Sequence, residues 1–302
     1  MKKIAIIPAR GLGDLMILAG FCYNLSKEYI VQLYHPLIQR LYQLMPYVEA
    51  YDRPQDIENM DLKDVHYTVM IYEDSPFFFH LQPQIKNRFQ SNCWVLNPVV
   101  TKKADYRFSE DYFFNIDLSF SENLLIFAKK HFLKDAESKN SGFSLNHVKN
   151  PNLVVMHATA SKESKSWFAK RFLFVKEQLE KKGFTVIFAT LPHESSAIEK
   201  GLYSGLQSLE ELVETIAKAQ LVIGNESGVC HLASALGTNS IVLCRNPRIQ
   251  KFWGADYKGA TYPLFPPHWI PNIKNMRLRD IYWRELISEK KVLKKAFWLL
   301  KT

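Results

Sequence analysis

Residues 221–244, LVIGNESGVCHLASALGTNSIVLC, hold the pattern that decides the fold. The apolar run at 221–224 predicts a buried strand, and a polar turn then leads into a helix that begins at Ser227-Gly228 and ends at Gly237. A second apolar strand at 240–244 completes a strand–helix–strand unit. Because the N-terminus of such a helix presents free backbone N–H groups and the positive end of its dipole, the turn is suited to an anion.

Two side chains extend this anion site. Glu226 lies at the strand tip, where a carboxylate can bind sugar hydroxyls, and His231 lies four residues after Ser227 on the same helix face. Together they would serve the phosphate and the hydroxyls of a nucleotide sugar. The plainer interpretation is an ordinary crossover in which Ser227 caps the helix and His231 packs under the loop. The residues alone leave both interpretations open.

The same alternation of apolar strands and amphipathic helices runs through most of the chain. It predicts an α/β protein with parallel sheets that are covered on both faces. A length of 302 residues is typical of two domains, and the polar segment 139–152 is interpreted as their linker. We therefore expect domains at 1–145 and 152–275. The aromatic-rich stretch 77–120 has no clear period, because Pro83 and Pro98 interrupt it.

Charge is unevenly divided between the halves. Residues 1–150 contain 17 Lys+Arg and 17 Asp+Glu, whereas residues 151–302 contain 22 and 13, so the net charge of +9 lies in the second half. That half is expected to meet a diphosphate or an anionic surface. No nucleic-acid-binding motif is recognisable, and four cysteines without metal-ligand spacing predict no metal site.

The C-terminal segment 276–302 is predicted to be a basic amphipathic helix. Its lysines at 290, 291, 294 and 295 precede Phe297 and Trp298, a combination suited to an anionic membrane surface. Alternatively, the apolar face packs back across the first domain. No apolar run reaches the ~18–20 residues of a membrane-spanning helix.

Three motifs in order resemble glycosyltransferase family 9, the bacterial heptosyltransferase-like enzymes. The first is Glu226-Ser227-Gly228-x-x-His231-x-Ala233-x-Ala235, which is similar to the family's acidic-[Thr/Ser]-Gly-x-x-His-x-x-Ala-Ala signature. The second is the N-terminal strand followed by Arg10-Gly11-Leu12-Gly13-Asp14. The third is His157-Ala158-Thr159-Ala160-Ser161 with Lys165-Ser166-Trp167. The resemblance is good over residues 1–30 and 152–245 and thin elsewhere.

This resemblance implies the GT-B architecture, which is two Rossmann-like doubly wound domains that face each other across a cleft, with a C-terminal helix crossing back. It implies an inverting, metal-independent glycosyltransferase without a cofactor. The first domain would bind a glycolipid or oligosaccharide acceptor of the lipopolysaccharide core or a related envelope glycan. The second would bind a nucleotide-diphosphate sugar. The expected location is cytoplasmic, peripheral at the inner face of the membrane.

Asp14 is the candidate general base. It follows a turn formed by Arg10, Gly11 and Gly13 that is small enough for an acceptor to approach closely. The alternative role is purely structural, with Asp14 capping its helix and complementing the dipole. A dinucleotide fingerprint is disfavoured because Met16 occupies its third glycine position.

The donor-binding candidates lie in the second half. Lys165 is expected to offset charge on the leaving diphosphate, and Thr159 and Ser161 to donate hydrogen bonds to the same oxygens, together with Ser227, Gly228 and His231. Glu194 matches a family position that holds the ribose. A loop lysine is often only solvated, and Trp167 is interpreted as a packing anchor. Glu226 stands where the family usually has aspartate, which leaves the donor sugar open.

Two other functions are compatible with this pattern. A nucleotide-sugar epimerase of the same two-domain shape would release a free sugar instead of a glycoside. A non-catalytic glycan-binding or lipid-binding relative would keep the fold without turnover, although Asp14 and Lys165 argue against it.

Overall fold

A computed structural model describes residues 1–98, 114–115, 117–136, 140–143, 145, 147–160, 162–273 and 276–301. The chain divides into two compact units, 1–143 and 144–302. Each unit contains one five-stranded sheet in which neighbouring strands pair in parallel. The predicted α/β class with doubly wound parallel sheets is therefore confirmed.

The first unit is built on a short and strongly apolar central strand. Its strands are β1 (Lys2–Ile7), β2 (Tyr29–Tyr34), β3 (Glu49–Tyr51), β4 (Val65–Ile71) and β5 (Cys93–Leu96), in the sheet order β3-β2-β1-β4-β5. Its helices are α1 (Leu12–Leu25), α2 (Ile38–Leu41), α3 (Pro76–Phe89) and α4 (Phe120–His131). Both α1 and α4 are largely buried and pack against each other. Because β1 is covered on both faces, it is a continuous apolar run.

The second unit repeats this architecture with a different strand order. Its strands are β6 (Asn150–His157), β7 (Thr185–Phe188), β8 (Ala219–Asn225), β9 (Asn239–Leu243) and β10 (Thr261–Leu264), in the order β10-β9-β8-β6-β7. Its helices are α5 (Ala169–Glu180), α6 (Ser195–Glu199), α7 (Leu209–Lys218), α8 (Gly228–Ala235), α9 (Pro247–Trp253), α10 (Leu278–Ile281), α11 (Trp283–Leu286) and α12 (Glu289–Leu300).

Each sheet has one place where the chain changes its winding direction. In the first unit it lies between β1 and β4, and in the second between β6 and β8. Ligands of open α/β sheets bind beyond the carboxyl ends of the strands at such a switch point. A ligand is therefore expected at the loops 8–11 and 72–75 of the first unit and at the loops 158–168 and 226–227 of the second.

The strands that the sequence analysis did not find are all at sheet edges. They are β3, β5 and β10, each of three or four residues. An edge strand pairs on one side only, so fewer of its side chains are fully buried, as β3 and β10 show. Their apolar pattern is correspondingly weak.

Helix α3 explains part of the stretch that gave no clear period. Ser75 accepts a hydrogen bond from the backbone N–H of Phe78, and Pro76 occupies the first helical position. The helix continues through Pro83 because Phe78, Leu81 and Ile85 are buried against the sheet. Residues 99–113 of the same stretch lie outside the described residues.

The C-terminal segment differs from the single helix that we predicted. It forms α10, α11 and α12, and Val292, Ala296 and Leu299 of α12 are buried in the core of the second unit, against α5, β8 and β9. We expected the helix to cross back to the first domain, whereas its buried face is occupied by its own unit. Among the described residues, no helix combines the length and the apolarity that crossing a bilayer requires.

Candidate active site

The carboxyl edge of the second sheet joins residues from distant parts of the sequence through one histidine. His157, the last residue of β6, places Nδ1 2.9 Å from Ser227 Oγ and Nε2 3.0 Å from Thr159 Oγ1. Thr159 Oγ1 is in turn 2.7 Å from Glu194 Oε1. The other oxygen of Glu194 accepts a hydrogen bond from the backbone N–H of Leu191, at 2.8 Å. Three predicted donor-binding residues, Ser227, Thr159 and Glu194, are thus joined through His157 in one hydrogen-bond network.

The direction of each hydrogen bond follows from what the groups can donate. A carboxylate only accepts, so Thr159 gives its hydroxyl proton to Glu194 and must itself accept from His157 Nε2–H. Burial lowers the pKa of His157 to about 4, so the imidazole is neutral and Nδ1 is left as an acceptor. Ser227 therefore donates to Nδ1.

This network changes the expected roles of both hydroxyl groups. The Ser227 side chain does not cap α8, because its oxygen accepts no backbone N–H of the helix, and its hydroxyl donates to His157 instead. The Thr159 proton is given to Glu194, so neither hydroxyl has a second proton for a diphosphate. In the described part of the chain, the backbone N–H groups of Gly228 and Val229 meet no protein acceptor. The first turn of α8 therefore offers backbone donors to an anion.

A cavity of about 370 Å³ lies beside this helix start, and we call it the lysine cavity. It brings together Lys165 and Glu226, two of the predicted donor-binding residues, and adds Arg245, which follows β9. Apolar side chains including Leu243, Trp253 and Trp283 complete its wall. Two cations and one carboxylate thus line a single cavity, and Glu226 directly precedes the start of α8 in the chain.

The loop that carries Lys165 is fixed from both sides. Asn225, fully buried at the end of β8, accepts a hydrogen bond from the backbone N–H of Trp167 and donates one to the carbonyl of Ala158, each at 2.8 Å. Trp283 Nε1 donates to the carbonyl of Ser164, at 3.1 Å. Lys165 is exposed, but its backbone is held by these contacts.

Trp167 is the packing anchor that the sequence predicted. It is 1% exposed, and its Nε1 is 3.0 Å from the carbonyl oxygens of both Arg284 and Ile287. The neighbouring Arg171 donates to the same backbone segment. Backbone carbonyls of α11 and of Ile287, which follows it, therefore hold the loop that carries Lys165.

A second cavity, of about 700 Å³, lies on the other side of the network, and we call it the glutamate cavity. Thr159 and Glu194 line it together with Phe168, Leu173 and His193. Its volume and its mixture of apolar wall and a few polar groups are usual for a site that binds a small molecule.

His231 does not reach either cavity. It is 6% exposed, and its Nδ1 is 3.1 Å from the hydroxyl oxygen of Tyr257. Burial lowers its pKa to about 4, so it is neutral. Of the two interpretations left open by the sequence, packing beneath the loop describes its position. Ser161 lies outside the described residues.

In the first unit, Asp14 is held against its own turn. Gly11 precedes α1, and its backbone N–H donates to Asp14 Oδ2, at 3.1 Å. A Cβ on residue 11 would come 2.6 Å from that oxygen, so a larger residue there would displace the Asp14 carboxylate. Asp14 therefore does cap its helix, as the structural alternative proposed, through one of its two carboxylate oxygens.

The surroundings of Asp14 make its carboxylate a stronger base than usual. Burial is the largest cause that raises its pKa, and the charge of Glu73 raises it further, while the Gly11 hydrogen bond and Arg53 oppose them. Glu73 binds Arg53 Nη2 at 2.7 Å and lies 3.8 Å from Nε of the exposed Arg10. A raised pKa is what a general base near neutral pH needs.

Arg53 and His35 complete this edge of the first sheet. The Arg53 guanidinium lies 3.6 Å from the centre of the Phe77 ring, and its Nε is buried without a hydrogen-bond partner. His35 is fully buried beneath the turn at 9–11, and burial lowers its pKa to about 4. Both groups lie at the base of the turn that carries Asp14.

The residues that the sequence analysis missed share one signal. Each is the last residue of a strand or follows one by one or two positions: His35, Arg53, Glu73, His157, Asn225 and Arg245. In a parallel sheet all such residues meet at the same edge. A search for polar residues immediately after each apolar run would have found most of them, although β3, which precedes Arg53, was not predicted.

Metal ligands are not grouped in the described part of the chain, where no three His, Cys, Asp or Glu side chains are arranged to hold an ion.

Two doubly wound units, each with a parallel sheet, are the fold of the GT-B class, and each unit carries basic and hydrogen-bonding groups at the carboxyl edge of its sheet. Residues 113–258 match the family model described as glycosyltransferase family 9 (heptosyltransferase). The resemblance predicted from the motifs is thereby confirmed over this range, and the protein is a glycosyltransferase. The turn that carries Asp14 precedes the matched range. No curated protein sequence matches the chain significantly.

Solved structures support the same fold over nearly the whole chain. The E. coli ADP-heptose lps heptosyltransferase II is 14% identical, with a TM-score of 0.72 and coverage of 99% of this chain and 98% of that one. The E. coli heptosyltransferase WaaC with ADP is 11% identical, with a TM-score of 0.68 and coverage of 99% and 98%. A glycosyl transferase family 9 protein from Veillonella parvula is 17% identical, with a TM-score of 0.63 and coverage of 99% and 97%.

Proposed function

We propose that this glycosyltransferase is inverting and metal-independent. It moves heptose or another hexose-type sugar from a nucleotide-diphosphate donor to a lipopolysaccharide or lipooligosaccharide core, or to a related envelope glycan. The observation that supports this most directly is the lysine cavity, which Lys165, Arg245 and Glu226 line together, with Glu226 directly before the start of α8.

The diphosphate is assigned to the lysine cavity because the positive charges that line this cavity would offset its negative charges. Lys165 and Arg245 supply two positive charges. The start of α8, which follows Glu226, would add the backbone N–H groups of Gly228 and Val229 as donors. Glu226, which lines the same cavity, is placed to accept hydrogen bonds from sugar hydroxyls. Charge that develops on the leaving diphosphate is thus offset by the protein's own groups.

The nucleoside is assigned to the glutamate cavity. Glu194 lines it, and a carboxylate accepts the hydroxyl protons of a ribose well. The His157 network joins Glu194 to Ser227 and so couples this cavity to the helix that starts beside the diphosphate. His157 acts here as a positioning residue.

Asp14 is the proposed base for the acceptor. It removes the proton from the acceptor hydroxyl as that oxygen forms a bond to the anomeric carbon of the donor sugar. The bond between that carbon and the diphosphate oxygen breaks, and its electron pair leaves with the diphosphate. A single displacement of this kind inverts the anomeric configuration, and it needs one base and no carboxylate nucleophile.

The location of the acceptor follows from its chemistry. A lipid-linked glycan is available at the inner face of the cytoplasmic membrane, so we propose that the enzyme works there as a peripheral protein. Because the similar E. coli structures are named for ADP-heptose and ADP, ADP and ADP-heptose are the ligands to test first.

The test begins with binding and ends with the product. Thermal unfolding is measured with ADP, UDP, GDP and their sugar conjugates, since a ligand at 100 times its Kd adds about 2.7 kcal/mol to stability. The best donor is then incubated with a soluble core oligosaccharide, with and without EDTA. A glycoside of inverted configuration in both conditions is expected. A free isomerised sugar would instead identify an epimerase, and loss of product with EDTA would overturn metal independence.

A further inference from the structure

Large apolar side chains are exposed together in one short segment of the second unit. Six of them lie within residues 269–282, with exposed fractions from 38% to 72%: Trp269, Ile273, Met276, Leu278, Ile281 and Tyr282. Elsewhere in the described ranges, exposed apolar side chains of this size occur singly or as one adjacent pair. Single ones need no explanation, whereas a concentrated group marks an interaction surface.

This segment is a folded structure and not a loose tail. Ile273 and Met276 form an antiparallel bridge, and the backbone N–H of Arg279 donates to the carbonyl of Pro271, at 3.3 Å. Arg279 Nη1 also donates to the carbonyl of His268, at 3.3 Å. We call residues 268–273 and 276–282 the apolar hairpin. The backbone hydrogen bonds of this segment hold its apolar side chains in positions exposed to solvent.

A basic pocket lies at the base of the apolar hairpin. It has a volume of about 300 Å³, and its polar lining consists of Arg245, His268, Arg279 and Lys291, without a carboxylate. Lys291 Nζ donates to the carbonyl of Phe265, at 2.7 Å, and Arg279 to a carbonyl as above. Backbone oxygens therefore position these cations, and their positive charge is left for a ligand. We call this the arginine pocket.

We infer that the apolar hairpin and the arginine pocket together form a docking surface for an anionic phospholipid bilayer. The apolar side chains enter the boundary between headgroups and acyl chains, and the pocket binds the phosphate of a headgroup. An anionic bilayer matches both features side by side, because its apolar acyl chains lie directly beneath its negatively charged headgroups. Trp269 and Tyr282 are residue types that favour such an interface.

The surface differs from the one predicted from sequence, which relied on α12. Lys295 Nζ lies 3.9 Å from the Trp298 ring centre and 4.2 Å from that of Tyr262. Phe297 packs against the core. α12 can therefore add positive charge through Lys290 and Lys294, but the apolar insertion comes from the hairpin.

Docking would also position the proposed site. Arg245 lines both the arginine pocket and the lysine cavity, so a bilayer at this surface would lie beside the proposed donor site. In this respect alone the inference rests on the proposed function.

Vesicle flotation tests the docking surface directly, without substrate. The parent protein should bind vesicles of phosphatidylcholine with phosphatidylglycerol, bind neutral phosphatidylcholine vesicles weakly, and dissociate as salt rises. The triple variant Trp269→Ser, Ile273→Ser, Ile281→Ser should bind at least about tenfold more weakly. The double variant Arg279→Gln, Lys291→Gln should lose the preference for phosphatidylglycerol.

A matched control removes exposed apolar side chains from three other places in the chain. Ile126→Ser, Val148→Ser, Phe174→Ser changes residues that are 43%, 91% and 45% exposed, and it should float like the parent. The inference is overturned if the hairpin variant floats like the parent or if the control loses as much binding. It is also overturned if the parent ignores vesicles and forms a dimer that the hairpin variant abolishes.

Nucleotide binding keeps this test separate from the proposed function. The hairpin variant should melt like the parent and bind nucleoside diphosphate with unchanged affinity, since its three residues are mostly exposed and outside both cavities. Failure of vesicle binding with intact nucleotide binding rejects the docking surface only. Failure of the parent to bind any nucleotide rejects the donor assignment only.

Discussion

Ser227 donates its hydroxyl proton to Nδ1 of His157, across a distance of 2.9 Å and 70 residues of sequence. This hydrogen bond links the end of β6 to the start of α8, the helix that follows β8. β6 and β8 are the strands that flank the switch point of the second sheet. The Ser227 oxygen accepts no N–H from α8, so the residue acts through the His157 network and not as a helix cap.

The Ser227–His157 pair should show a measurable coupling. If Ser227 only capped α8, Ser227→Gly would cost a few tenths of a kcal/mol and Ser227→Ala more. In the structure both changes leave the buried Nδ1 of His157 without a donor, so each should cost about 1–3 kcal/mol. Urea unfolding of Ser227→Ala, His157→Phe and the double variant should give a coupling energy above about 0.5 kcal/mol. Additive effects would show that Ser227 acts independently of His157.

Lys165 should matter for phosphate and not for the nucleoside. Lys165→Ala is expected to weaken nucleoside diphosphate binding by about tenfold, because a charge-assisted contact is lost from an exposed side chain. Calorimetry with the diphosphate and the free nucleoside measures the difference. Lys162→Ala removes a lysine from the same loop that does not line the cavity, and it should bind both like the parent. Equal losses for the two ligands would contradict the assignment.

Asp14 should control turnover without controlling folding. Asp14→Asn keeps an oxygen for the Gly11 N–H, so the melting temperature should change little. The rate of transfer should fall by about 10²–10⁴. A variant that transfers sugar at nearly the parent rate would leave Asp14 with its capping role alone.

The pH profile should report the raised pKa of Asp14. A base must be deprotonated, so kcat/KM should fall as pH drops through that pKa, which lies above the ordinary value for aspartate. Glu73→Gln removes a charge that raises the Asp14 pKa and frees the opposing charge of Arg53, so the acid limb should move to lower pH. An acid limb that does not move would show that the charge of Glu73 does not affect the pKa of the general base.

Stability should decline in mild acid because three histidines are buried in neutral form. Burial lowers the pKa values of His35, His157 and His231 to about 4, below the ordinary 6.5, so the unfolded state binds more protons between these values. The contribution of these histidines to the free energy of unfolding should therefore be fully present above pH 6.5. It should decrease as the pH falls towards 4. The loss per histidine is at most about 1.4 kcal/mol per pH unit.

Variants can assign that decline to particular residues. Urea unfolding at several pH values should give a smaller slope for His231→Asn than for the parent. His193→Asn, at an exposed position, should keep the parent slope. A slope that His231→Asn leaves unchanged would show that His231 does not titrate as proposed.

The sequence by itself determined the elements whose pattern is local and strong. The central strands β1, β6 and β8 are apolar over most of their length because both of their faces are covered, and the helices between them have one apolar face. Turn chemistry is equally local, so Gly11, Asp14 and Ser227-Gly228 could be placed at helix starts without coordinates. Lys165 and Glu226 were likewise found from their place after a strand, and the structure brings them into one cavity.

Tertiary structure alone decided which distant groups meet and which are buried. The Trp167 Nε1 bond to Ile287 spans 120 residues, and the bond of Trp283 to Ser164 spans 119, so no local pattern could pair them. The edge strands have too few buried positions to stand out. The role of Ser227 depended on the imidazole of His157 being within reach. His231 became a packed residue because Tyr257 lies beside it. Such outcomes follow from burial and hydrogen-bond competition among residues that only the folded chain brings together.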